Sequence, residues 1–144
     1  MSELSLFLKK NKATRENVKY AASKGFLDEN GKPVEWEIRP VTSRENEALR
    51  EECMVEAPSR GRRRRGSQYR VDTVRYLAKL MAASVVFPDL QNAELQDSYG
   101  VKTPEDLVKE LLDNPGEYMD FSLFLQELNG FDIEMEDDTE QAKN

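Results

Sequence analysis

The sequence predicts an α+β fold, mostly helical, in which one β-hairpin packs against a bundle of short helices. Three observations lead to it. Apolar residues recur at helical steps in four segments between Thr73 and Phe131, an alternating pattern flanks the turn-rich stretch from Asp28 to Pro33, and capping residues, prolines and glycines punctuate the boundaries. No segment is long enough to be a stable helix alone in water, so all must share a core.

Taken in order, Ser2 can cap a short opening helix in which Leu4, Phe7 and Leu8 share a face and Lys9 and Lys10 lie near the negative C-terminal end; it reads as a docking helix. Asn11 to Glu16 is a polar connector. From about 17 to 41 the period becomes two: Val18, Tyr20 and Ala22 on one side of a first strand, then Val34, Trp36 and Ile38 alternating with Glu35, Glu37 and Arg39. That is a hairpin, with Trp36 and Ile38 turned to the helices and an outer edge open to another subunit. Thr42 and Glu45 have capping-box spacing ahead of a helix from about Ser43 to Met54.

The four-segment unit follows. Val74, Leu77, Met81 and Val85 form the stripe of a helix that Pro88 ends, and Asn92 caps a short helix closed by Gly100. Thr103, Pro104 and Asp106 start a third helix bearing Leu107, Val108, Leu111 and Leu112, which Pro115 and Gly116 close. The last carries Tyr118, Phe121, Phe124, Leu125 and Leu128 and stops at Asn129-Gly130. Residues 1–131 are thus expected to form a single domain. It is interrupted by a mobile Arg-rich loop over about 56–69 and followed by an acidic disordered tail, 132–144, with six acids between Asp132 and Glu140.

A chain of 144 residues buries roughly two-thirds of its unfolded surface, so neither a metal nor a disulfide is needed to hold it. Histidine is absent and Cys53 is the sole cysteine, which removes the His-based nucleophile pairs, cysteine zinc sites and internal disulfides. Cys53 reads as a small buried hydrophobe. Catalytic residues, metal ligands and cofactors are all expected to be none. No apolar run approaches the roughly 20 residues of a membrane span, and Met-Ser-Glu does not begin an export signal, so the expected location is the cytoplasm.

The net charge of −7 is unevenly spread. Residues 1–75 hold 17 Lys or Arg against 12 Asp or Glu, and residues 76–144 hold 4 against 16. Such polarity points to head-to-tail self-association or to two partners. Arg60 and Arg62, Arg63, Arg64 and Arg65 form the densest positive cluster and suggest electrostatic contact, with a small nucleic-acid-binding regulator as the alternative reading of the chain. The absence of interleaved stacking aromatics and the acidity of the remainder weigh against nucleic acid.

Several stretches resemble the XkdN-like tail assembly chaperones of Gram-positive phages and prophages: Leu4 to Asn11, Asn17 to Lys24, Gly31 to Thr42, Tyr76 to Pro88, Asn92 to Val101, Pro115 to Tyr118 and Glu127 to Asp132. The resemblance runs through nearly the whole chain in order and is poorest at the arginine loop and acidic tail. It implies a non-enzymatic role in the host cytoplasm: binding the tape-measure protein during tail morphogenesis, keeping it soluble, and aiding recruitment of tail tube protein. Helix-in-groove binding would suit such a client, and Phe121, Phe124 and Leu125 are the candidate groove residues, set against the plainer reading that they are core.

Overall fold

The computed structural model describes residues 3–57 and 68–131. It is mixed α+β and mainly helical, as the sequence predicts, but with two small antiparallel sheets where one hairpin was expected. Strands β1 (Val18–Tyr20) and β2 (Trp36–Ile38) pair with Val18 opposite Ile38 and Tyr20 opposite Trp36, so the predicted alternation holds. Trp36 and Ile38 are buried while Lys19 and Glu37 pair across the outer face. The loop joining them is closed by Asp28, whose carboxylate accepts from the Asn30 and Lys32 amides, and Gly31 supplies the positive φ of 77° that the turn needs.

Helix α1 (Ser43–Glu52) begins with the predicted capping box: Thr42 Oγ1 accepts from the Glu45 amide, and Glu45 accepts from the Thr42 amide. Glu45 is also gripped by Arg39, whose Nη2 and Nη1 donate to Oε2 and Oε1 at 2.6 and 3.2 Å. These hydrogen bonds, from Arg39 first, hold the Glu45 carboxyl down at about 2. The stabilisation is therefore present above the unfolded carboxyl value of about 4.3 and is lost as pH falls from there through about 2. The side chains are 34% and 38% exposed, so screening keeps the contribution below about 1 kcal/mol. A carboxyl NMR titration should place Glu45 below the ordinary carboxylate range in the wild type and return it toward about 4 in Arg39→Met.

Strands β3 (Met54–Ala57) and β4 (Gln68–Val71) form the second sheet, with Met54 opposite Val71 and Ala57 opposite Gln68. The connection expected over about 56–69 is thus taken up at both ends by strand. The arginines and the acidic tail lie outside the described residues.

Helix α2 (Thr73–Ser84) is shorter than its apolar stripe suggests, and Val74 in its first turn is exposed. Val85–Phe87 leaves the helix to become β5, which adds to the open edge of β2 with a register shift beside Ile38. β-branched Val85 and Val86 fit a pleated ladder better than a helix end, and the β2 edge supplies backbone partners.

Helices α3 (Ala93–Ser98) and α4 (Pro104–Leu111) start at the predicted caps Asn92 and Thr103. Gly100 takes a φ of 69° past α3. In α5 (Pro115–Leu128), Pro115 and Gly116 open the helix rather than close the previous one: Asn114 Oδ1 accepts from the Gly116 and Glu117 amides, and proline at the first position lacks only a donor that would be unpaired there.

The core lies where α2 meets α4, α1, α5 and the three-stranded sheet. Its largest fully buried side chains include Trp36, Phe121, Ile38, Leu80, Met81, Leu107 and Leu125. The opening segment behaves differently from the expected docking helix. Glu3–Phe7 and Lys9–Asn11 are short 3-10 turns with no buried residue.

Candidate interaction site

Nothing in the described residues assembles chemistry. Among the described residues no group of three or more potential ligands could hold a metal, and no helix is long and apolar enough to cross a membrane. Cys53 is fully buried, as a small hydrophobe would be, and burial pushes its thiol upward, leaving it a poor nucleophile. The Tyr76 hydroxyl, raised chiefly by burial, donates to Asn46 Oδ1 between α2 and α1.

The candidate features are apolar. Tyr20 of β1 stacks on Phe124 of α5 with ring centroids 4.1 Å apart and planes 8° from parallel, and on Phe121 at 5.7 Å. Trp36 meets Phe121 edge-on at 5.9 Å and 73°. Burial first, then the Asp120 and Glu117 carboxylates, raises the Tyr20 phenol. Glu117 fastens the hairpin loop to α5 by accepting from Ser23 Oγ at 2.9 Å and the Lys24 amide at 2.7 Å.

This arrangement separates the three candidate groove residues. Phe121 and Leu125 are completely buried and support the helix from beneath, whereas Phe124 is half-buried at the rim of the aromatic stack. The exposed apolar side chains of α5 are instead Met119 and Leu123, four residues apart and so on the same side of the helix. Sequence reasoning missed them because α5 carries apolar residues on nearly every side.

A second feature was also missed. An apolar groove of about 180 Å³ lies at the loop end of the hairpin, walled by Phe26 and Val34 of the loop, Trp36 of β2, Phe87 and Pro88 at the end of β5, Leu95 and Tyr99 around α3, and Leu111 of α4. Its residues come from five separate stretches, each of which reads locally as core. Away from it, at the open end of the hairpin, the N-terminal segment exposes Leu4, Leu6, Phe7 and Leu8.

Comparison with known proteins places the chain. A family model described as "Phage XkdN-like tail assembly chaperone protein" matches residues 4–143. The Phage-like element PBSX protein XkdN of Bacillus subtilis (strain 168) is 29% identical over 142 residues, which cover 99% of this chain and 94% of that protein. YqbN of the same organism is 30% identical over 142 residues, covering 99% and 93%. The crystal structure of the protein YqbN has the same fold, with a TM-score of 0.75 at 25% identity over 92% of this chain and 99% of that one.

Proposed function

Since this chain belongs to the XkdN-like phage tail assembly chaperone family, we propose that it binds the tape-measure protein of its phage in the host cytoplasm, keeps it soluble, and aids recruitment of tail tube protein. The match across residues 4–143 carries the reading. As a member of a chaperone family it acts by binding rather than by catalysis. A tape-measure chain is long and largely helical with apolar stripes, and a chaperone must cover such stripes reversibly.

The outer side of α5 suits that task. Met119 and Leu123 give a helical client an apolar contact one turn long. Phe121 and Leu125 act from below, fixing the helix against the hairpin. Such a contact adds little area, which suits a partner that must later leave.

Co-expression with the cognate tape-measure protein tests this. The wild type should keep the client soluble and be captured with it, and Leu123→Asp should lower capture about tenfold with an unchanged circular dichroism spectrum, since one buried anchor commonly contributes more than about 1 kcal/mol. Failure of the wild type to bind overturns the function. Full binding by the variant overturns the assignment to α5.

A further inference from the structure

We propose that residues 132–140 fold back over the N-terminal segment, residues 4–12, of the same chain and close an intramolecular clasp between its two ends. The clasp depends neither on client binding nor on the outer side of α5.

Both ends of the described chain are tied to one residue. Arg15 Nη2 donates to the Val41 carbonyl at 2.5 Å and holds the N-terminal connector, while the Val41 amide donates to Asn129 Oδ1 at 2.9 Å and holds the C-cap of α5. Gly130 then turns with a φ of 77°, and the Phe131 amide donates to the Gln126 carbonyl at 2.9 Å, which fixes where the chain leaves the helix. Phe131 shares a hollow of about 300 Å³ with Lys12, Arg15 and Val41. A second hollow, of about 510 Å³, carries Lys12 and Arg15 on to Lys9. A chain continuing past Phe131 thus starts beside the basic end of the N-terminal segment.

The segment lacks a cover, and the residues after Phe131 have the composition to supply one. Phe7 is 82% exposed, Leu4 76% and Leu6 61%, and neither opening turn contains a buried residue. Residues 4–15 hold Lys9, Lys10, Lys12 and Arg15 and no acid, and the three lysines form no ion pair among the described residues. Residues 132–140 hold six acids and no base, with Ile133 and Met135 alternating with Asp132, Glu134 and Glu136. In an extended chain that alternation gives one apolar side and one acidic side. At a rise of about 3.3 Å per residue Met135 comes roughly 13 Å beyond Phe131, and 3-10 turns of about 2 Å per residue put Leu6 and Phe7 a similar distance from Lys12. Apolar side chains then meet apolar ones, and carboxylates lie along the lysines. Tethering holds the two partners at an effective concentration of about 1 mM, so a contact of about 0.1 mM suffices to keep the clasp closed. A partner that presents apolar residues among carboxylates competes with residues 132–140 for the same segment.

Zero-length carbodiimide coupling of the full chain, mixed in equal parts from light and nitrogen-15-labelled protein, decides it. Carboxylates of residues 132–140 should couple chiefly to Lys9, Lys10 and Lys12, in peptide pairs that are wholly light or wholly heavy. Phe7→Ser and Met135→Ser each remove an apolar partner and leave the charges and the tether intact. Each should lower the yield about fivefold with an unchanged circular dichroism spectrum. Raising salt from about 0.05 to about 0.5 M should lower it by a similar factor. Light and heavy peptides paired at random overturn the proposal, because the acidic stretch then comes from a second copy. Absence of coupling, or coupling chiefly to other lysines, overturns it as well. So does a yield that either serine variant or added salt leaves unchanged, since tethered proximity alone then accounts for the links.

Discussion

Phe121→Ala is expected to lower the free energy of unfolding by about 4 kcal/mol, within the roughly 3–5 kcal/mol typical of removing a buried phenyl ring. The ring is fully buried and touches Tyr20, Trp36 and Phe124 at centroid separations of 5.7, 5.9 and 6.5 Å. Its removal forfeits the transfer energy of the side chain and opens a void among three aromatic rings, which are stiff and cannot close it cheaply. Since a domain of this kind is stable by only about 5–15 kcal/mol, the variant should unfold at a much lower urea concentration with an unchanged slope. Phe124→Ala, at a half-buried position, should cost about half as much. A Phe121→Ala loss below about 1.5 kcal/mol would mean that the stack collapses into the space, contrary to the fixed packing argued here.

The contrast between those two phenylalanines marks the limit of what the sequence discloses. Local signals were legible wherever one residue satisfies its own neighbourhood: Thr42 with Glu45, Asn92, and Thr103 before Pro104 all cap helices as predicted, and Gly100 and Gly130 adopt positive φ. Trp36 and Ile38 were legible because a period of two leaves only one face to bury. β5 was not, because Val85-Val86-Phe87 continues an apolar helix equally well until the edge of β2, almost fifty residues earlier in the chain, offers it a ladder. β3 and β4 are four residues each, and their pairing is a tertiary event that bridges the arginine stretch. In α5 the apolar residues Tyr118, Met119, Phe121, Leu123, Phe124, Leu125 and Leu128 surround the axis, so periodicity could not tell Phe121 and Leu125, which face inward, from Met119 and Leu123, which face out. The groove depended on five such placements at once.

The second large effect lies at the other end of the same ring contact. Trp36→Ala removes a side chain only 2% exposed, yet its loss is expected to be about 3 kcal/mol, below what its size suggests. Trp36 forms one wall of the apolar groove, so the space left behind opens to solvent and to inward movement of half-buried Phe26 and Tyr99, and less of a closed void remains. Trp36 belongs to β2 and Phe121 to α5, so their edge-on contact ties the hairpin to the helix. Combining Trp36→Ala with Phe121→Ala should therefore cost about 1 kcal/mol less than the two losses added, the scale of an aromatic pair beyond its area. Far-UV circular dichroism must follow the transitions, because Trp36 is the only tryptophan. Strict additivity would assign hairpin docking to other contacts, such as Glu117 with Ser23 and Lys24. Coupling of the expected size means that a hairpin too small to persist alone is held in register by α5, so the helix proposed to meet the client and the sheet that walls the groove depend on one another for their order.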